Sequence, residues 1–168
     1  MKRREFDEMM RLHEIWLNGE EGGRRAIMQG ADLRNVNMNR ADMRGVNMQR
    51  ANMLHADMQY ANMQCAKMQH ADMRHADMRS AEMQRTDMRG ANIDYSAWPL
   101  CCGSLKAYVD DRIAIQLLYH TLSVVQYSPY VSEDVKRTLL TRDVVDVANR
   151  FHRVDECGKL KTWEEIKG

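Results

Sequence analysis

Residues 26–95 read AIMQG ADLRN VNMNR ADMRG VNMQR ANMLH ADMQY ANMQC AKMQH ADMRH ADMRS AEMQR TDMRG ANIDY, fourteen consecutive pentapeptides without a slip. The third column runs through Met28, Leu33, Met38, Met43, Met48, Met53, Met58, Met63, Met68, Met73, Met78, Met83, Met88 and Ile93. The first column is small: Ala in most pentads, Val36, Val46 and Thr86 in the others. The second column is mostly Asp or Asn, and the last two are mostly Arg, Gln, His or Gly. An α-helix turns about 100° per residue, so a step of five turns it about 140° and the Met column makes no face. A flat strand has period two, and an odd repeat sends successive Met to opposite sides. A chain that turns a corner every five residues satisfies both apolar columns at once. Four pentads then close a square coil of twenty residues, and coils stack at about 4.8 Å. Such coils contact only their neighbours, the logic of a solenoid. The Asp and Asn of the second column can bond nearby backbone and hold each corner.

The A-(D/N)-L-x-x pattern, present as ADLRN at 31–35 and ADMRG at 41–45, resembles the pentapeptide-repeat family. The resemblance covers seventy of 168 residues. It implies a mostly β fold with α caps: a right-handed quadrilateral parallel β-helix over 26–95. The departure is Met where the family mostly has Leu or Phe, which predicts a softer, oxidisable core. Thioethers also suit Cu(I), but an inward column is where apolar atoms belong.

Outside the repeats, residues 2–18 place Phe6, Met9, Met10, His13, Trp16 and Leu17 on one helical stripe, which Asn18-Gly19 and Gly22-Gly23 end. A solenoid end exposes unpaired edges, so residues 1–25 are expected to form a cap helix and linker, with Trp16 over the first coil. After Tyr95, Trp98 and Pro99 mark a turn expected to plug the last coil. Residues 96–168 are expected to be a helical domain that caps or dimerises. Its helices are expected over 104–126 with Ser104 as N-cap, from about Ser132, and over 142–152. Residues 153–168 then read as a charged tail anchored by Trp163.

Charge is balanced, 25 Lys and Arg against 24 Asp and Glu, and each of the three segments is near neutral. No apolar run approaches the ~20 residues of a membrane span, and the N-terminus is too charged for a signal peptide. Four Cys, two of them adjacent, do not look like a secreted disulfide framework. A cytoplasmic protein without membrane attachment is expected.

No phosphate loop, nucleophile elbow or H-E-x-x-H is present, so an enzyme is not expected. A step of twenty stacks His55 on His75, between Asn35 and Tyr95. It aligns Asp32 with Asp72 and puts Arg34, Arg74 and Asp94 beside them. Asp32, Arg34, His55, Asp72, Arg74, His75, Asp94 and Tyr95 are therefore the candidate binding face. Cys101 or Cys102 with His120, His152 and Cys157 have ligand types that suit tetrahedral zinc, but their spacings are long and irregular, and buried thiols with packed imidazoles are the usual outcome.

The flanking order WLNGEEGGRRA (16–26), DYSAWPLCCGSL (94–105) and DECG (155–158) resembles pentapeptide-repeat proteins of bacteria and their phages. Relatives that protect DNA gyrase dimerise through their C-terminal ends and imitate the charge of duplex DNA. The resemblance thus implies a homodimer and a protein partner that handles DNA. DNA mimicry needs dense carboxylates, whereas Arg interleaves with the acids here. The reading is a non-enzymatic protein-binding scaffold, used by a phage or mobile element against a host protein. A nucleic-acid binder along the Arg and Gln rows is the alternative, and a small-ligand or metal-binding protein is the third.

Overall fold

The computed structural model describes residues 3–97 and 107–167. Residues twenty apart pair as parallel bridges throughout the repeats, from Ile27 with Asn47 to Asp77 with Ala97. Three sets of bonds hold this register; in one, a fifth-column N–H donates to the carbonyl nineteen residues ahead, as from Gly30 to Gln49 at 2.8 Å. From Met28 to Met78, the N–H of each third-column residue donates to the carbonyl nineteen residues ahead, as from Met28 to Asn47 and from Met53 to Asp72, both 2.7 Å. From Asn47 to Asn92, the N–H of each second-column residue donates back to the coil before it, as from Asn52 to Ala31 at 2.9 Å. Each side pairs through one residue before the chain turns, so the described residues contain isolated bridges and no continuous strand. The expectation of a mostly β chain is corrected to that extent.

The turn has a local cause. In eleven pentads the second-column Asp or Asn accepts, through its side-chain oxygen, the N–H two residues on, as Asp77 does from Arg79 at 3.1 Å. The fifth residue then adopts left-handed backbone at φ near +57°, even where it is His55, Tyr60 or Arg85. Each third-column Met is at most 1% exposed, as is Leu33, and Ile93 is 3% exposed. Most first-column residues are buried with them. Thr86, the one hydroxyl among them, donates to the Met63 carbonyl at 2.6 Å. We number the walls in chain order: first (26–30, 46–50, 66–70, 86–90), second (31–35 and its repeats), third (36–40) and fourth (41–45).

Helix α1, Arg3–Leu17, lies against the first coil. A Gly19 turn ends it, with Glu20 N–H bonded to Ile15 carbonyl and Gly19 N–H to Trp16 carbonyl. The chain then doubles back so closely that a Cβ on Gly23 would sit 2.3 Å from the Trp16 nitrogen. Phe6 and His13 are the buried residues of α1. Trp16, expected over the first coil, reaches only its Gly45 corner, 3.9 Å from where a Cβ there would sit; it is 41% exposed and stacks on His13. His13 fills that place because it can also bond the edge: its Nδ1 accepts the Ala26 N–H at 3.2 Å. Arg3 likewise donates to the Asn37 carbonyl at 3.2 Å.

Two compact units divide the chain, Met1–Val109 and Asp110–Gly168. Unit 1 runs past Tyr95: Ala97 pairs with Asp77, and Tyr108 with Asp87. That pairing holds residue 108 in the coil, so α2 begins later than expected, at Asp111–Tyr127, with Asp110 rather than Ser104 as its N-cap. Trp98, Pro99, Cys101, Cys102 and Ser104 lie outside the described residues. Unit 2 continues with α3 (Glu133–Leu139), α4 (Arg142–Ala148), α5 (Val154–Cys157) and α6 (Trp163–Lys167). Its core includes Tyr119, Leu122, Leu140, Val145, Phe151 and Leu160. The expected tail is built in: Asn149 clasps both backbone groups of Leu160, and Gln126 accepts the Lys161 N–H at 2.6 Å. No helix among the described residues is long and apolar enough to cross a membrane.

Truncating a fully buried thioether leaves a cavity in a shaft that cannot collapse, so Met58→Ala should cost about 2–5 kcal/mol in chemical denaturation, and Met58→Leu under about 1.5. His13 gives a pH test. Burial, ahead of the nearby Arg25 and Arg44 charges, lowers its pKa below the ordinary value. A histidine with a lowered folded pKa stabilises fully above its unfolded value of about 6.5 and loses that stability as pH falls below it. The melting temperature should therefore drop between pH 7.5 and 5, and His13→Phe should lessen that drop.

Candidate functional site

Side chains of the fourth and fifth columns leave the coil at its walls and corners, where successive coils place like positions above one another. Four repeats carry Asp-Met-Arg and one Asp-Leu-Arg, and in all five the Arg folds back on its own Asp: Arg34 on Asp32, Arg44 on Asp42, Arg74 on Asp72, Arg79 on Asp77 and Arg89 on Asp87, at 2.6–2.7 Å. Each guanidinium reaches both carboxylate oxygens through Nε and Nη2, as from Arg74 to Asp72 at 2.8 and 2.7 Å. The same Asp oxygen also takes the Arg backbone N–H, so the pair is built on the corner turn. Exposed pairs of this kind are worth under about 1 kcal/mol each. Their consequence is electrostatic: these repeats present no net charge to a partner.

The second wall brings together most of the expected binding face. His55 stacks on His75 with ring centroids 4.7 Å apart, and His75 on Tyr95 at 4.7 Å and 4°. The three residues share left-handed backbone, which aims their rings out from one corner at the spacing of the coils. Asp32–Arg34 and Asp72–Arg74 flank the ladder as closed pairs, and Asp94 lies close enough to favour the charged Arg74. On the corner of the third wall, Arg40 lies over the Tyr60 ring at 5.6 Å. Sequence reasoning placed the rings, because stacking follows from a step of twenty. It missed the Asp–Arg closure, whose signal was the recurring D-M-R triplet.

In unit 2, His120 and His152 each meet the Phe151 ring edge-on, at 5.2 and 4.8 Å, and His120 also meets Tyr119. Cys157 is exposed. Among the described residues no group of three His, Cys, Asp or Glu could hold a metal, and Cys102 lies outside them. The imidazoles are packing groups around Phe151 in this arrangement.

Asp87 tests the closed pairs. The Arg89 side chain, with a further bond from Gln69, holds its pKa down at about 2. A carboxylate lowered in this way stabilises fully above its unfolded value of about 4 and loses that stability as pH falls through 2. Acid titration of the melting temperature should show a loss between about pH 4 and 2, smaller in Asp87→Asn.

Residues 26–64 and 56–93 match the family profile described as Pentapeptide repeats, in eight copies. Among solved structures, the chain is similar to the pentapeptide-repeat protein Rfr23 of Cyanothece 51142, with 19% identity, TM-score 0.44, and 51% of this chain and 54% of that one covered. It is also similar to the pentapeptide-repeat protein alr5209 of Nostoc (20% identity, TM-score 0.29, 60% of this chain and 93% of that one). A third similarity is to QnrB1, a plasmid-mediated fluoroquinolone resistance protein (15% identity, TM-score 0.18, 58% and 65%). The match to Rfr23 thus spans about half of that protein's length. No curated protein matches the chain significantly. With the repeat profile matched across the coils described above, the chain is a pentapeptide-repeat protein over residues 26–93.

Proposed function

We propose that this protein is a non-enzymatic scaffold that binds a protein partner on the walls of its coil, α1 closing the first coil and unit 2 serving as a dimerisation handle. The observation that carries the reading is the His55–His75–Tyr95 ladder, three rings held outward at 4.7 Å spacing on a backbone that needs no rearrangement to present them. A rigid array of amphipathic rings loses little entropy on binding, and this favours a protein interface. The flanking pairs at Asp32–Arg34 and Asp72–Arg74 each carry no net charge, so Asp94 is the one acid of this wall outside these two pairs. In our reading the partner is a host protein that handles DNA, and the scaffold is of phage or mobile-element origin and acts in the cytoplasm. That choice of partner rests on the resemblance to relatives that occupy DNA-binding enzymes. The nucleic-acid alternative is weakened by the same pairs, since Arg34, Arg44, Arg74, Arg79 and Arg89 are each already engaged by a carboxylate.

Affinity capture from host lysate checks the proposal. The immobilised protein should retain one host protein reproducibly, and replacing His55 and His75 together by Ala should weaken retention at least tenfold. Retention of nucleic acid alone, or of a host protein indifferent to substitutions on any wall, would contradict it.

A further inference from the structure

Closure of the five Asp–Arg pairs changes which charges count. Once those five pairs are removed from consideration, the cations left in the repeats are Arg40, Arg50, Lys67 and Arg85. Arg40 sits on the corner of the third wall, over Tyr60. The other three lie together on the first wall and the corner leading into it. Arg85 ends the fourth wall in the last complete coil, Lys67 stands mid-wall one coil below, and Arg50 is at the far corner one coil lower still. They form a diagonal stripe. All three are exposed, and none has an ion-pair partner among the described residues. The carboxylates outside the five Asp–Arg pairs, Asp57, Glu82 and Asp94, fall on the third, fourth and second walls. The one acid of the first wall, Asp87, is taken by Arg89 and by Gln69 at 2.6 Å. A chain of net charge +1 thus carries a segregated positive wall.

The rest of that wall indicates the chemistry of what it faces. Lys67 belongs to the column Ile27, Asn47, Lys67, Asp87, Tyr108, paired in register throughout. The apolar and aromatic ends of the column are exposed, Ile27 at 64% and Tyr108 at 56%. A basic middle between an aliphatic and an aromatic anchor suits a protein segment, since Tyr and Arg are the residues that anchor interfaces. Single-stranded nucleic acid calls for a series of rings on which successive bases stack, and this wall offers two rings in separate columns, Tyr108 and His70. We infer that the first wall is a second docking surface, distinct from the ring ladder, for an acidic segment of a partner protein whose carboxylates meet Arg50, Lys67 and Arg85. The inference rests on the scaffold reading but not on the identity of the captured protein.

Fluorescence anisotropy with a labelled glutamate decamer tests it on the full chain, beside a thymidine decanucleotide as a competing probe. The glutamate peptide should bind more tightly than the oligonucleotide. Lys67→Glu should weaken peptide binding at least tenfold and the milder Lys67→Gln about threefold, with unchanged melting temperature. Arg40→Glu, which makes the same change in net charge on another wall, should leave binding within twofold. Equal losses from Arg40→Glu and Lys67→Glu, tighter binding of the oligonucleotide, or no binding of the peptide would each overturn the inference. Retention of a host protein in lysate would be untouched by any of these, so the two readings fail separately.

Discussion

Everything in the coil depends on a backbone bond between a third-column N–H and a carbonyl nineteen residues ahead. That bond, repeated from Met28 to Met78, is satisfied only if the chain has made four corners and returned. It therefore forces twenty residues per turn, aligns the columns, and leaves the Met side chains nowhere to go but inward. A helix of the same residues would satisfy its backbone locally and scatter the methionines around its circumference. Burial of the Met shaft and register of the backbone are two aspects of one constraint, since a slip by a single residue would turn every thioether towards water.

The corner carries a cost that the rest of the fold offsets. Left-handed backbone at a non-glycine residue is disfavoured by about 1–2 kcal/mol, and eleven such residues recur in the repeats. The side-chain bond from the second-column Asp or Asn supports the turn just before each of them. Ile27, Lys67 and Glu82 stand in that column without making this bond, so those corners rely on the backbone turn bond, as from Ala71 N–H to the Met68 carbonyl at 3.1 Å, on the register and on the shaft. Gly90 shows what the corner permits: the His70 ring lies within 2.4 Å of where a Cβ would sit, and the glycine leaves that ring room.

Periodicity carries information about stacking, which is why the inward Met column, the twenty-residue coil and the His55–His75–Tyr95 ladder could be read from the residues. It carries much less about rotamers. Whether Arg74 reaches out to a partner or folds onto Asp72 depends on side-chain torsions, and with them the effective charge of every wall. The flanks were less legible for a related reason. His13 displaced Trp16 from the buried position because an imidazole nitrogen can accept the Ala26 N–H, a gain that hydrophobic patterning does not count. Tyr108 was drawn out of a helical pattern by pairing with Asp87, a long-range contact that local propensity cannot weigh. Asn149 and Gln126 likewise secure residues 158–162 through side-chain bonds to backbone, in a stretch whose charge alone suggested a loose tail.

The most direct test of the register is a distance between two corners. Nitroxide labels at Cys introduced for Tyr60 and Ser80, with Cys65, Cys101, Cys102 and Cys157 replaced by Ala, should sit one coil apart, about 5 Å between backbones, and show strong dipolar broadening in the electron spin resonance spectrum. Labels at positions 60 and 70, on opposite corners, should show much weaker broadening. A helical segment would instead hold 60 and 80 about 30 Å apart. Sharp, non-interacting lines from the 60/80 pair would contradict the coil and everything built on it.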